Sequence, residues 1–418
     1  MLSLKKLIKN KFIIDSFWTI WGNFIGKGFS FLCTLFLAKI LESYYQGINE
    51  FFRSTISSIS FFALFGIHIT ITSFISKLCF KNDKEELVKS VLYYICLTSI
   101  FFSLFYTLLI YNEFEKFKIN IIIFYLLILI GSVSFSFNYL FNGLYAGLGY
   151  FKRLSFISMF NGVLNFTILT IIASYHSLIG VIYATPFLFF FISLVYFFDL
   201  KKNGINCLPL KHYPLPKIFK LSFPIALQEI CFPLYSWSIN YIIIYYVGNA
   251  FLGIYSTAMS FYILILFVPG ILRNVLLRHF AISEVKNSKE VFKQAILINF
   301  VSILIPLIVV YISFDTIVVF LGDSYIDLKA LFFPISIMAI IASISNPYFQ
   351  YFIHKSMNWK LFFLRFLKNS LALIIVYVSF YYDLINKDFS LKFILYVSSL
   401  TALVQLFLMI IKKPKDYQ

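Results

Sequence analysis

Charge is scarce in this 418-residue chain: Asp, Glu, Lys and Arg together make up 13% of it, while 61% is hydrophobic. That balance excludes an ordinary soluble domain, which carries about a quarter charged residues, and a disordered one, which lacks apolar groups. Carboxylates are the rarer sign, 18 Asp and Glu against 35 Lys and Arg. The five cysteines (Cys33, Cys79, Cys96, Cys207, Cys231) are scattered, with no Cys-x-x-Cys pair and no His at zinc-ligand spacing. Neither a disulfide framework nor a metal site is indicated, and they read as small apolar side chains. A phosphate-cradling P-loop is also absent, so no cofactor is expected.

What is present is apolar length. At ~20 residues per crossing the chain holds roughly a dozen spans and leaves no room for an ordinary soluble domain beside them. Apolar runs mark 12–38, 47–76, 88–111, 119–148, 154–175, 178–198, 218–247, 250–277, 291–313, 325–353, 361–382 and 389–411. The first is too long for a signal-peptide core and lacks a small-residue cleavage site, so it is expected to stay as a span. The ten-residue alternation of a membrane β-barrel is missing. The fold class is therefore an all-α polytopic membrane protein, because a helix satisfies its own backbone where water cannot.

Sorting the loops into two alternating sets places 27 Lys and Arg in one set, which includes both termini, and 6 in the other. By the positive-inside rule both termini are expected in the cytoplasm, and the net charge of +17 is an orientation signal, not a nucleic-acid footprint. Residues 201–217, with Pro209, Pro214 and Pro216, read as a cytoplasmic linker between two six-helix halves, 1–200 and 218–418.

The halves carry a short internal match. Leu41-Glu42-Ser43-Tyr44-Tyr45-Gln46-Gly47-Ile48-Asn49 lies 206 residues before Val247-Gly248-Asn249-Ala250-Phe251-Leu252-Gly253-Ile254-Tyr255, so Gly47-Ile48 falls on Gly253-Ile254. Gly66-Ile67 recurs as Gly270-Ile271. Repeats of six spans are parallel, related by an axis along the membrane normal.

Here the sequence resembles a known family. The segment from Ala38-Lys39-Ile40-Leu41 to Gly47-Ile48, with Phe65-Gly66 and the stretch from Thr70 to Ser76, looks like the opening of the O-antigen and polysaccharide flippases (Wzx-type). These belong to the multidrug/oligosaccharidyl-lipid/polysaccharide (MOP) exporter superfamily. Asn142-Gly143-Leu144-Tyr145-Ala146-Gly147 is similar too. Lys39, Leu41 and Gly47 are kept, but Glu42 stands where the family has a first Gly and Gln46 where it has an aromatic. Val247-Gly248 and Leu252-Gly253-Ile254-Tyr255 fit the pattern better. The resemblance implies two six-helix bundles around a central cavity that opens to alternate sides. The implied cargo is an undecaprenyl-pyrophosphate-linked oligosaccharide, moved across the bacterial inner membrane. Implied partners are membrane lipids and other polysaccharide-assembly proteins, with no nucleic acid.

Ionisable groups within spans cost ~2.5 to 3.5 kcal/mol by insertion scales, so each needs a reason. Lys27 lies roughly 16 Å below the outer end of the first span, and Arg53 roughly 9 Å below the same end in the second. Both could meet a pyrophosphate, Arg through its planar fork and Lys as a point charge; the competing reading is snorkelling to the headgroups. Glu229, near mid-depth between Pro224 and Pro233, could bind a coupling proton or Na⁺, neutralise Lys27, or be a static ion-pair partner. Arg273 and Arg278, at the inner end of the eighth span, could receive the pyrophosphate or simply anchor the helix. Asp15 reads as interfacial and His68 as a packing residue. Gly22, Gly26 and Gly28 read as helix-packing positions. The 54 Phe and 29 Tyr reflect general composition, and no sugar-binding aromatic is singled out.

Three functions compete. A flippase fits the cationic residues, because sugar hydroxyls would each lose ~4 to 8 kcal/mol in bare hydrocarbon on a cyclohexane scale. A multidrug exporter of the same superfamily would favour acidic groups over Lys27. A membrane polysaccharide polymerase or ligase would need a catalytic surface that these short outward loops do not offer. The chain is therefore read as a transporter and not an enzyme.

Overall fold

The computed structural model describes residues 11–78, 80–115, 118–206, 213, 215–270, 288–355 and 357–412. Among them there is no strand. The helices are α1 (Lys11–Leu64), α2 (Ile67–Lys77), α3 (Lys81–Glu115), α4 (Ile121–Leu148), α5 (Phe151–Lys202) and α6 (Pro216–Ile242). A π turn (Ile243–Val247) then leads into α7 (Asn249–Ile265) and α8 (Ser288–Leu321). A 3-10 segment (Asp323–Leu331) precedes α9 (Phe332–His354), followed by α10 (Asn358–Tyr381) and α11 (Lys387–Ile411).

Nine helices among the described residues are long and apolar enough to cross a membrane. Two of these are double. At 1.5 Å per residue the 54 residues of α1 would run about 80 Å, more than twice the hydrocarbon thickness. The helix is broken at Glu42 (φ 57°, ψ 175°), and the 52-residue α5 is broken in the same way at Ser177 (φ 53°, ψ −149°). Counting both arms of each, joining α2 to the second arm of α1, and adding α7 gives twelve helices in two bundles, the architecture expected from the apolar runs.

Contacts divide the chain into two compact units. One comprises Met1–Ile40 and Phe51–Pro233; the other comprises Leu41–Glu50 and Leu234–Gln418. Of the expected linker, residues 207–212 and 214 lie outside the described residues.

The first unit is joined by buried hydroxyls as well as by apolar packing, which suits a bilayer, where lipid tails are as apolar as Leu and burial alone favours no partner. The Ser60 hydroxyl donates to the Ser132 carbonyl (2.9 Å), and the Ser103 and Ser132 hydroxyls lie 3.0 Å apart, linking α1, α3 and α4. Across α4 and α5, Ser193 donates to the Ser134 carbonyl (2.9 Å) and Tyr145 donates to Asp199 (2.7 Å). Asp199 also pairs with Arg153 at 3.0 Å. In the first arm of α1, Gly22 and Gly26 admit α5: a Cβ on Gly22 would lie 2.5 Å from Cβ of Ser155, and one on Gly26 2.7 Å from the Ser158 carbonyl.

The second unit has a chain of buried amides. Asn346 donates to Asn299 Oδ1 (2.9 Å) and to the Pro269 carbonyl (3.1 Å), and Gln350 donates to Asn346 Oδ1 (3.1 Å). Arg365 and Lys368 lie inside α10, where the Arg365 guanidinium sits 4.8 Å from the centre of the Phe349 ring.

The repeated glycines meet in this unit. A Cβ on Gly47 would collide with the Asn249 carbonyl, and one on Gly253 with the Ser43 carbonyl. Ser43 and Asn249 are themselves 206 residues apart, as Gly47 and Gly253 are, so the crossing is reciprocal in the way a contact on a two-fold axis must be. The repeat extends to backbone shape. Glu42 has φ 57° and ψ 175°; its counterpart Gly248 has φ 123° and ψ 164°. Both values fall in a region open essentially to Gly, at a cost of ~1–3 kcal/mol to any other residue. Glu42 therefore carries strain that a Gly, as at the matching position 248, would not. Glu42→Gly should raise the unfolding temperature in detergent, by about 1 kcal/mol of net stability after the entropic cost of Gly. Gly47→Val should lower it by at least ~1–3 kcal/mol through overpacking at the crossing. Thermal unfolding followed by circular dichroism checks both signs.

Candidate functional site

The polar groups that the membrane would not tolerate idly gather where α1 gives way to α2. α1 ends at Leu64; Phe65 has φ 45° and Gly66 φ 70°, a left-handed step that Gly takes without strain. The same Gly lets α6 approach. A Cβ on Gly66 would sit 2.7 Å from the Ala226 nitrogen and 2.9 Å from its Cα. One turn along, the buried hydroxyls of Thr70 and Ser222 lie 2.7 Å apart. Phe65 packs against Phe219 and Phe223, with ring centres 6.0 and 5.9 Å away.

The α6 helix contains Pro224 and Pro233. Proline has no N–H, so each of them interrupts the hydrogen-bond ladder of α6. Glu229 is itself half-buried. Its negative charge acts on two groups, His68 of α2 and Tyr139 of α4. The His68 ring stands edge-on to Phe61 (5.8 Å, 79°) and to Tyr139 (5.8 Å, 89°), and Phe61 and Tyr139 are 5.2 Å apart. Nδ1 of His68 is buried and has no hydrogen-bond partner among the described residues. On the far side, the His68 carbonyl fills the space a Cβ on Gly143 would need. α4 is held there by Asn138, which donates to the Phe189 carbonyl (3.2 Å) and accepts from Ser193 (3.0 Å). This site lies wholly within the first unit.

The other expected site residues are distributed differently. Lys27 is exposed on the first arm of α1, away from the glycine face that packs on α5. Arg53 is half-buried on the second arm, close enough to the Cys33 sulfur to act on it electrostatically; Cys33 is buried and its thiol faces the Asn165 carbonyl (3.6 Å). Arg273 and Arg278 lie outside the described residues. Sequence reading passed over Tyr139 and Phe61 entirely and set His68 aside. The available signal was the Phe65-Gly66 break, four residues after Phe61 and two before His68, against which α6 packs. Among the described residues no group of three or more His, Cys, Asp and Glu could hold a metal ion.

No protein-family model matches the chain, and no curated protein sequence matches it. Solved structures do. A multidrug resistance MATE family transporter of the MOP superfamily, in an inward-facing conformation, superposes with a TM-score of 0.69 at 14% identity over 92% of this chain and 93% of that one. The outward-facing conformation of a multidrug resistance MATE family transporter gives 0.61 at 14% identity, over 96% and 94%. A MOP superfamily transporter from Pyrococcus furiosus gives 0.66 at 14% identity, over 96% and 95%; its binding pocket is described as of reverse polarity, suggesting a different function.

The Thr70–Ser222 pair offers a direct check of the α2–α6 junction. In a double-mutant cycle of Thr70→Val and Ser222→Ala, the coupling energy from thermal unfolding should be about 1 kcal/mol. Along nearly its full length, this chain has the fold of the MATE transporters of the MOP superfamily.

Proposed function

We propose that this protein is a flippase that carries a polyprenyl-pyrophosphate-linked oligosaccharide from the cytoplasmic to the periplasmic leaflet by alternating access, in the assembly of O-antigen, capsule or another surface polysaccharide. The observation that carries the reading is the pair of cations on α1, exposed Lys27 and half-buried Arg53, in a chain with the fold of MOP superfamily transporters. Cations at span depth carry an insertion cost, and an anionic cargo such as a pyrophosphate would offset it. Arg273 and Arg278 would take the head group at the cytoplasmic side, and Glu229 would serve ion coupling. Translocation makes and breaks no covalent bond, so no catalytic residue is assigned.

The multidrug exporter remains the second reading, favoured by the multidrug transporters among the structural relatives and by the half-buried Glu229, which suits a cationic drug. Gene deletion separates them. Loss of surface polysaccharide with unchanged drug susceptibility supports the flippase, and the converse supports the exporter. In complementation of the deletion, Lys27→Ala and Arg53→Ala should each reduce surface polysaccharide at least tenfold at equal protein level, about 1.4 kcal/mol or more of transition-state binding. Full polysaccharide in both variants would remove the cation assignment.

A further inference from the structure

His68 is a titratable group that flipping leaves unexplained. Its Nδ1 is buried without a partner among the described residues, an omission worth ~1–3 kcal/mol for a neutral hydrogen-bonding group. The residue as a whole is half-buried. A nitrogen that gains and loses a proton during a working cycle would keep no fixed partner. We propose that His68 is the proton-binding group of this protein, with Glu229 as its counter-charge and Phe61 and Tyr139 as the walls that receive the imidazolium. The proposal deepens the transport reading by naming the coupling ion, and it rests on that reading only for the use made of the proton.

Three features support the assignment, the first of them favouring a proton over a metal cation. The ring centres of Phe61 and Tyr139 each lie 5.8 Å from that of His68, within the ~6 Å over which an aromatic ring attracts a cation. An imidazolium can use two such walls, whereas Na⁺ or Mg²⁺ would ask for oxygen ligands in their place. The surroundings also supply one charge of the right sign. α1 presents Phe61 to His68, α4 presents Tyr139 and α6 presents Glu229, whose carboxylate is the charged group acting on both His68 and Tyr139 among the described residues. Arg53 stands eight residues before Phe61, roughly 12 Å away along the helix axis. Finally, a coupling group must be tied to something that can move. α6, with a proline on either side of Glu229, is the helix least able to complete its own hydrogen bonds. A proton on Nδ1 turns the neutral imidazole into the opposite charge to Glu229 and draws α6 toward α2; its release ends that attraction.

The proton site can be tested without cargo. Full-length protein labelled with ¹⁵N-histidine, in lipid nanodiscs, is titrated over roughly pH 4 to 9, the range in which an imidazole changes charge. Five histidines contribute, and the His68 signal is identified by its loss in His68→Gln. The proposal expects that signal to titrate, its midpoint to fall by about one pH unit in Glu229→Gln, because the carboxylate favours the imidazolium, and exchange of K⁺ for Na⁺ to leave it in place. A His68 signal that stays neutral throughout overturns the proposal, as does a midpoint indifferent to Glu229→Gln. So does a midpoint in the unmodified protein that moves when Na⁺ replaces K⁺, a measurement that stands even if the variant fails to fold. Since no substrate is involved, these outcomes are independent of polysaccharide complementation, and either reading can fail alone.

Discussion

Hydrocarbon gives a peptide N–H or C=O nothing to bond to, and the whole architecture follows from that. A crossing segment must be helical, and a helix may break only at the end of a crossing or against another part of the protein. Both kinds of break occur here. Glu42 and Ser177 divide helices too long to be single crossings. Phe65-Gly66 and the Pro224–Pro233 stretch, by contrast, break or weaken helices that face each other, so the irregular backbone of α1–α2 lies against the irregular backbone of α6.

The same solvent removes the usual reason for helices to associate. With no hydrophobic gain between apolar faces, cohesion comes from close approach and from polar pairs shielded from lipid, each such pair contributing on the order of 0.6 kcal/mol. The buried hydroxyls of Ser60, Ser103, Ser132 and Ser193 serve the first unit in this way, and the amides of Asn299, Asn346 and Gln350 serve the second. Close approach is sharpest at Gly47 and Gly253. Their contact is reciprocal between positions of equal spacing, which ties the short sequence match to a symmetric crossing.

Against this background of neutral polar pairs, the charged and titratable groups within spans stand out. Lys27 and Arg53 belong to the two arms of α1, while Glu229 is grouped with His68 and Tyr139. The two sets suit different tasks: an anionic head group needs cations along its path, and an energy-coupled carrier needs a separate group whose charge changes. Around His68, an imidazole and two aromatic rings from three helices lie within the reach of the Glu229 charge on a fourth.

Much of the architecture was legible in the sequence, because transfer from water to lipid adds up residue by residue and needs no knowledge of neighbours. Twelve apolar runs translate into twelve helices, and the run ends at residues 38 and 47 and at 175 and 178 already bracket the breaks at Glu42 and Ser177. The direction in which each side chain points was not legible. His68 and Glu229 are 161 residues apart, and in the sequence His68 reads as a packing residue while Glu229 stands out by itself as an acid within a span. Their meeting depends on Gly66 admitting α6 and on the rotation of three helices about their own axes. Packing between helices sets that rotation, so only the tertiary structure could decide it, whereas composition along the chain was enough to determine that the helices exist and cross.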